Sequence, residues 1–225
     1  MLMHLFSDVP DGVALVEGYH QPELVVLSVV ISVVMSLLGL QTSHVARTAT
    51  THYYRRVALA TGGLALGGGI WGMHFIGMLA FRLPVEVSYS LGLTLLSMVP
   101  AIVASWLALS LLSRQNNKLG SIIGGGVLFG SGVGLMHYVG MMAMRTPLYM
   151  HHDGLQSVLS VLAAIVLGTL ALWIREGLSK TRLPSRSRFY LAGTVMGLAI
   201  VSMHYIAMHG ASFYGEPGEL SDGTW

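Results

Sequence analysis

Three histidines, His74, His137 and His204, lie inside long apolar stretches, and each carries the same neighbours. Methionine precedes every one (Met73, Met136, Met203) and an aromatic residue follows (Phe75, Tyr138, Tyr205). A β-branched residue comes next, then a small one, and a second methionine stands at +4 (Met78, Met141, Met208). Imidazole and thioether are both metal donors. Without thiolate or carboxylate they select copper, above all Cu(I), over magnesium, calcium or manganese. Zinc is the alternative through the imidazoles alone, since three protein nitrogens and a water are a common zinc shell. An open position on such a metal accepts O₂, CO or NO.

An unsatisfied polar group in hydrocarbon costs several kcal/mol, so intramembrane histidines mark function more often than packing. A single one is as readily explained by a hydrogen bond to a neighbouring helix. Three in matched register beside methionines favour a site.

The elements that position these side chains are helices with a second shared feature. Glycine recurs at −7 (Gly67, Gly130, Gly197) and at −11 (Gly63, Gly126, Gly193). At about 100° per residue, these glycines fall within roughly 20° of the histidine and the +4 methionine within roughly 40°. The −1 methionine and the +1 aromatic lie about 100° to either side. This register predicts three helices packed on one another through their glycines. Their histidines would then stand at one height around a common axis, leaving no room for a haem macrocycle. The expected ligands are the three histidines and one or more of the +4 methionines. The −1 methionines flank them, and the aromatics pack between helices or stand behind the ligands.

Composition sets the environment. The 225 residues are 53% hydrophobic and 10% charged, with a mean hydropathy of +0.67, which indicates a polytopic membrane protein. There is no cysteine, so disulfides, thiolate metal sites and thiol catalysis are excluded. Apolar runs predict six spans at about residues 23–43, 57–81, 88–112, 119–144, 155–174 and 189–213. Ser28, Ser32 and Ser36 form a small polar stripe on the first, and Pro100 predicts a kink in the third. Beyond Glu23 at the edge of the first, no acidic residue falls inside a span, against a proton pump or carboxylate-driven transporter.

Ten of the twelve Lys and Arg residues fall in loops one, three and five. This places both termini outside the cytoplasm, which in a bacterial inner membrane would be the periplasmic side. The expected fold is all-α: six transmembrane helices as three parallel two-helix repeats (23–81, 88–144, 155–213) about an axis along the membrane normal. Segments 1–22 and 214–225 would be periplasmic. Lipid is the expected surroundings, oligomers are compatible with the pattern, and nothing indicates a nucleic-acid partner. His4, His20, His151, His152 and His209 belong to the outer side and read as solvated loop residues.

Met136-His137-Tyr138 and Met203-His204-Tyr205, with Met73-His74-Phe75, resemble the signature of the MHYT family of bacterial integral-membrane sensor domains. The resemblance covers about residues 24–213. The signature threonine is Ile76, Val139 and Ile206 here, so no hydroxyl is required at that place. The resemblance implies copper binding and sensing of O₂, CO, NO or redox state. It also implies output through GGDEF, EAL or histidine-kinase modules, which family members carry beyond a seventh helix. The chain is accordingly expected to be an input domain without an enzymatic site of its own. Two rival readings use the same residues. A copper or zinc transport protein needs a second donor layer at the cytoplasmic side, which the sequence does not show. A membrane redox enzyme needs a substrate pocket.

Overall fold

The computed structural model describes residues 12–114, 119–176 and 184–215. His4, Lys118, Lys180, Arg182 and the acidic residues of the two termini other than Glu17 therefore lie outside the described residues, as do 1–11 and 216–225 of the expected periplasmic segments. Six helices account for the expected spans: α1 (Pro22–Thr48), α2 (His52–Ala80), α3 (Leu91–Leu112), α4 (Leu119–Met141), α5 (Gly154–Glu176) and α6 (Ser185–His209). Each is long and apolar enough to cross a bilayer. α3 runs unbroken through Pro100.

The two kinds of helix divide the work. Roughly half of the most apolar stretch of α2, α4 and α6 is buried, against roughly a third in α1, α3 and α5. The even helices carry the motifs and sit inside. The odd helices turn an apolar face outward, as in Val26, Val30, Val34 and Leu38 of α1, and a face of small residues inward. Ser28, Ser32 and Ser36 of α1 and Ser97, Ala101 and Ser105 of α3 are fully or almost fully buried. That pattern suits a lipid-facing outer layer.

The glycine expectation is corrected here. The stripes do not pack on one another; each receives an odd helix from the neighbouring repeat. A Cβ on Gly67 would stand 2.5 Å from the Ile102 Cα, one on Gly130 2.5 Å from the Ile165 backbone nitrogen, and one on Gly197 2.7 Å from the Val33 Cα. One turn further on, Gly63 meets Trp106, Gly126 meets Thr169 and Gly193 meets Leu37. These partners are also four residues apart, so the three contacts share one register. The Ser32 hydroxyl uses the close approach to donate to the Gly197 carbonyl at 2.9 Å.

The cause is that the helices do not run parallel to the axis. Even helices converge at the histidine end. Odd helices converge at the other, where Arg47 of α1 reaches both the Leu112 carbonyl of α3 and Glu176 of α5 at 2.6 Å. Two turns below the histidine, the same helix face has therefore rotated away from the axis onto an odd neighbour. Large apolar side chains are buried at these levels: Ile70, Val133 and Ile200 at −4, and Leu66, Phe129 and Met196 at −8, with Leu66 packed on Gly39 of α1 and Phe129 on Gly168 of α5.

Short strands close the histidine end. They are β1 (Ala14–Val16), β2 (Tyr19–His20), β3 (Phe81–Arg82), β4 (Ser88–Tyr89), β5 (Met144–Arg145), β6 (Tyr149–His152) and β7 (Ala211–Gly215). The strand before each odd helix pairs antiparallel with the strand after the following even helix: β2 with β3, β4 with β5, β6 with β7. A backbone bond of 2.8 Å repeats beneath each pair, Gln21 to Ala80, Ser90 to Ala143 and Asp153 to Gly210. Each repeat is thus β-α-α-β, and β1 adds an edge strand to β7. The expected spans ran on through Phe81, Met144 and Phe213 because those residues are apolar. The structure places them in the strands. At the opposite end α1 and α2 extend five residues past the apolar run, to Thr48 and from His52.

Candidate metal centre

The centre begins with where each motif helix ends. The histidine lies seven residues, about two turns, before the strand that follows the helix, so the three clasps hold the imidazoles at one level. His74, His137 and His204 are all buried. Their Nδ1 atoms form a near-equilateral triangle, with separations of 3.2, 3.2 and 3.3 Å. The rings stand nearly perpendicular to one another, with centroids 4.9–5.3 Å apart.

This triangle is a poor hydrogen-bonding arrangement. Three neutral imidazoles meeting at one kind of nitrogen cannot satisfy all three edges, because each Nδ1 is either a donor or an acceptor. All three Nε2 atoms are buried without a partner as well. The unsatisfied Nδ1 triangle points to an ion or water between the rings, while an ion held there would leave each Nε2 as an N–H. The centre of the triangle lies about 1.9 Å from each nitrogen, close to the ~2.0–2.1 Å of an imidazole–zinc bond. The donor set therefore fits a small metal ion.

Close contact sets the ring orientations. A Cβ on Gly140 of α4 would run into His74 Nε2, and one on Gly77 of α2 would run into His204 Nε2. The small residue at +3 is thus the floor on which the next helix's imidazole lies. The third copy has a buried alanine there, Ala207. The sequence reading noted only that these residues are small.

The two methionine sets part company. Met78, Met141 and Met208 gather in one cluster on the clasp side, joined by Phe81, Tyr89, Met144 and Met150. Met73, Met136 and Met203 belong to the main apolar core. The +4 methionines thus pack together from three helices, and Met144 and Met150 join them outside the motif.

The +1 aromatics point away from the centre. The Ser28 hydroxyl donates to the Val25 carbonyl and so accepts from the Tyr205 hydroxyl at 3.0 Å. Ser160, bonded in the same way to Ser157, stands 3.4 Å from the Tyr138 hydroxyl. Ser97 holds the equivalent place beside Phe75 and donates to Thr94. Each aromatic is also met from the clasp by the residue two positions before an odd helix. Tyr205 meets His20 at 5.6 Å, Phe75 meets Tyr89 at 5.8 Å, and Tyr138 meets His152 at 5.8 Å. His152 is therefore a buried residue and not a solvated loop histidine. Its signal in the sequence was position: His20, Tyr89 and His152 recur with the repeat. Burial holds the Tyr89 phenol up at about 12 and pushes the His20 imidazole down.

Fold and site together define a helical membrane domain of three repeats built around a buried imidazole triad. The chain belongs to the MHYT family, described as a bacterial signalling protein N-terminal repeat, which it matches over residues 67–125 and 130–189. Each match begins at the −7 glycine, so the family unit is the same period read from the middle of a motif helix.

Three curated relatives are similar over most of the chain. It is 37% identical over 222 residues to the bifunctional diguanylate cyclase/cyclic di-GMP phosphodiesterase MucR of Pseudomonas aeruginosa, covering 94% of this chain and 31% of that protein. It is 32% identical over 200 residues to the cyclic di-GMP phosphodiesterase NbdA of the same organism, covering 88% and 25%. To the signaling protein YkoW of Bacillus subtilis it is 29% identical over 197 residues, covering 87% and 24%. The chain thus spans a third or less of these relatives' lengths. It is a membrane sensory domain of the kind found in cyclic di-GMP signalling proteins. No solved structure matches it.

Proposed function

We propose that this sensory domain binds copper at its axis and reports the state of that metal to a cyclic di-GMP or kinase output. The observation that carries the reading is the convergence of three buried Nδ1 atoms at 3.2–3.3 Å. His74, His137 and His204 would hold the ion, with one or more of Met78, Met141 and Met208 completing its shell from the clasp side. Copper so held supplies a one-electron redox couple and a position for O₂, CO or NO.

The chain's own residues do the rest. The buried layers of Ile70, Val133, Ile200 and the −1 methionines close the site from below and exclude water. Gly77 and Gly140 fix two of the rings. Because each motif helix contacts an odd helix from another repeat, a shift of one imidazole moves a glycine contact two turns below it. The odd helices meet at the far end through Arg47, which gives the displacement a route across the bilayer.

The soft donor set supports copper; zinc is the alternative for a site filled by imidazole alone. The transport reading needs a second donor layer towards the Arg47 end. Among the described residues the histidine triad is the one group of three or more His, Asp or Glu side chains close enough to hold an ion, which favours retention over transit. Metal analysis of the purified chain tests the proposal. Stoichiometric copper that is lost in His74→Ala, His137→Ala and His204→Ala is expected. A wild-type chain that binds no copper after reconstitution contradicts it.

A further inference from the structure

At the end opposite the histidines, two cavities adjoin. One, of about 570 Å³, is lined by Arg47, Arg55, Arg114, His52, Thr51 and Ser113. The other, of about 520 Å³, is an apolar groove on the outer surface of α1 and α2, lined by Val45, Tyr54, Val57 and Thr61 among others. They share Ala49 and Thr50, so they form one crevice with a cationic head and an apolar tail.

Among the described residues no Asp or Glu lines the head, and the first turn of α2, whose N-terminus opens there, has no acidic residue. Arg47 is itself engaged, since Glu176 accepts from its Nη1 and the Leu112 carbonyl from its Nη2. Arg55 donates to the neutral Ser113 hydroxyl at 3.2 Å, and neither it nor Arg114 has a carboxylate partner among the described residues. Three guanidiniums and a helix N-terminus therefore face one space, an arrangement that suits a phosphate. The groove extends that space along a surface where Val45, Tyr54 and Val57 are exposed, where only an acyl chain would find complementary surroundings.

We propose that this crevice binds one anionic phospholipid, its phosphate among Arg47, Arg55 and Arg114 and an acyl chain in the groove between α1 and α2. Basic pockets between membrane helices on the positively charged side recognise such headgroups. The lipid would straddle the first helix hairpin at the residue that links α1, α3 and α5. The inference is independent of the metal at the other end.

Native mass spectrometry of the detergent-purified chain, exchanged into phosphatidylglycerol or phosphatidylcholine, tests it. The wild type is expected to retain one phosphatidylglycerol through delipidation. The Arg55→Gln/Arg114→Gln variant should retain it at least about tenfold more weakly. Thr61→Phe, which fills the groove and leaves the arginines in place, should weaken it too. Arg82→Gln, at the histidine end, should not. Equal retention of phosphatidylcholine, or unchanged retention in both crevice variants, would overturn the proposal. So would complete displacement of the lipid by millimolar inorganic phosphate, since the groove would then contribute nothing.

Discussion

At the scale of single residues, the +3 position controls the site as closely as the histidines do. A methyl group on Gly140 or Gly77 has no place to go except into an imidazole of the neighbouring helix. Gly140→Ala and Gly77→Ala are therefore expected to weaken metal binding by about 10–100-fold, the usual effect of disturbing what orients a ligand. Isothermal titration with a competing chelator measures this, and wild-type affinity in both variants would show that these contacts do not hold the rings. The methionines offer a second comparison. Met→Leu at Met78, Met141 and Met208 should weaken Cu(I) and spare Zn²⁺, whereas the same change at Met73, Met136 and Met203 should affect stability more than metal. Copper loss confined to the −1 set would mean that the wrong sulfurs face the ion.

The aromatics carry a smaller expectation. Tyr205→Phe removes a hydroxyl that Ser28 accepts from, at about 1 kcal/mol. Phe75→Tyr should be tolerated because Ser97 occupies the matching place. Thermal unfolding in detergent would resolve the two.

At the scale of elements, the histidine register was legible in the sequence and the glycine partners were not. His74 and Gly67 do share a helix face, but a face keeps one neighbour only if helices run parallel. Here tilt hands the glycines to α1, α3 and α5. A single helix's sequence carries no record of that tilt. The clasps escaped notice for a different reason: two-residue strands have no periodicity to detect, and Phe81, Met144 and Phe213 extend an apolar run as a helix would. Their recurrence at each repeat was the available signal, as it was for His20, Tyr89 and His152.

The corrected contacts change what a glycine substitution does. Gly130→Leu should force α4 off the Ile165 backbone of α5 and destabilise the bundle by at least about 1–3 kcal/mol, as overpacking does elsewhere. Gly120→Leu, where nothing lies within 4 Å, is the control. Equal thermal stability of the two variants would contradict the close α4–α5 approach.

At the scale of the whole molecule, six spans and their charge asymmetry frame the direction of signalling. Among the described residues Glu176 is the acidic residue at the arginine end, and it is bonded to Arg47. The positive-inside rule leads us to expect that this end is cytoplasmic. A reporter fused after Trp225 is expected to behave as periplasmic in a Gram-negative host, and cytoplasmic activity there would invert the arrangement. The histidine centre would then lie near the periplasmic face, with the arginine crevice facing the compartment where cyclic di-GMP is made and degraded.

The central claim is that three imidazoles at the axis hold one copper ion. It is tested most directly by electron paramagnetic resonance of the purified, copper-reconstituted chain after oxidation, with metal content measured on the same sample. One copper per chain, with nitrogen hyperfine structure from three imidazoles that disappears in His137→Ala, is the predicted result. A chain without bound copper, or a nitrogen-coordinated signal unchanged in all three histidine variants, would contradict the account.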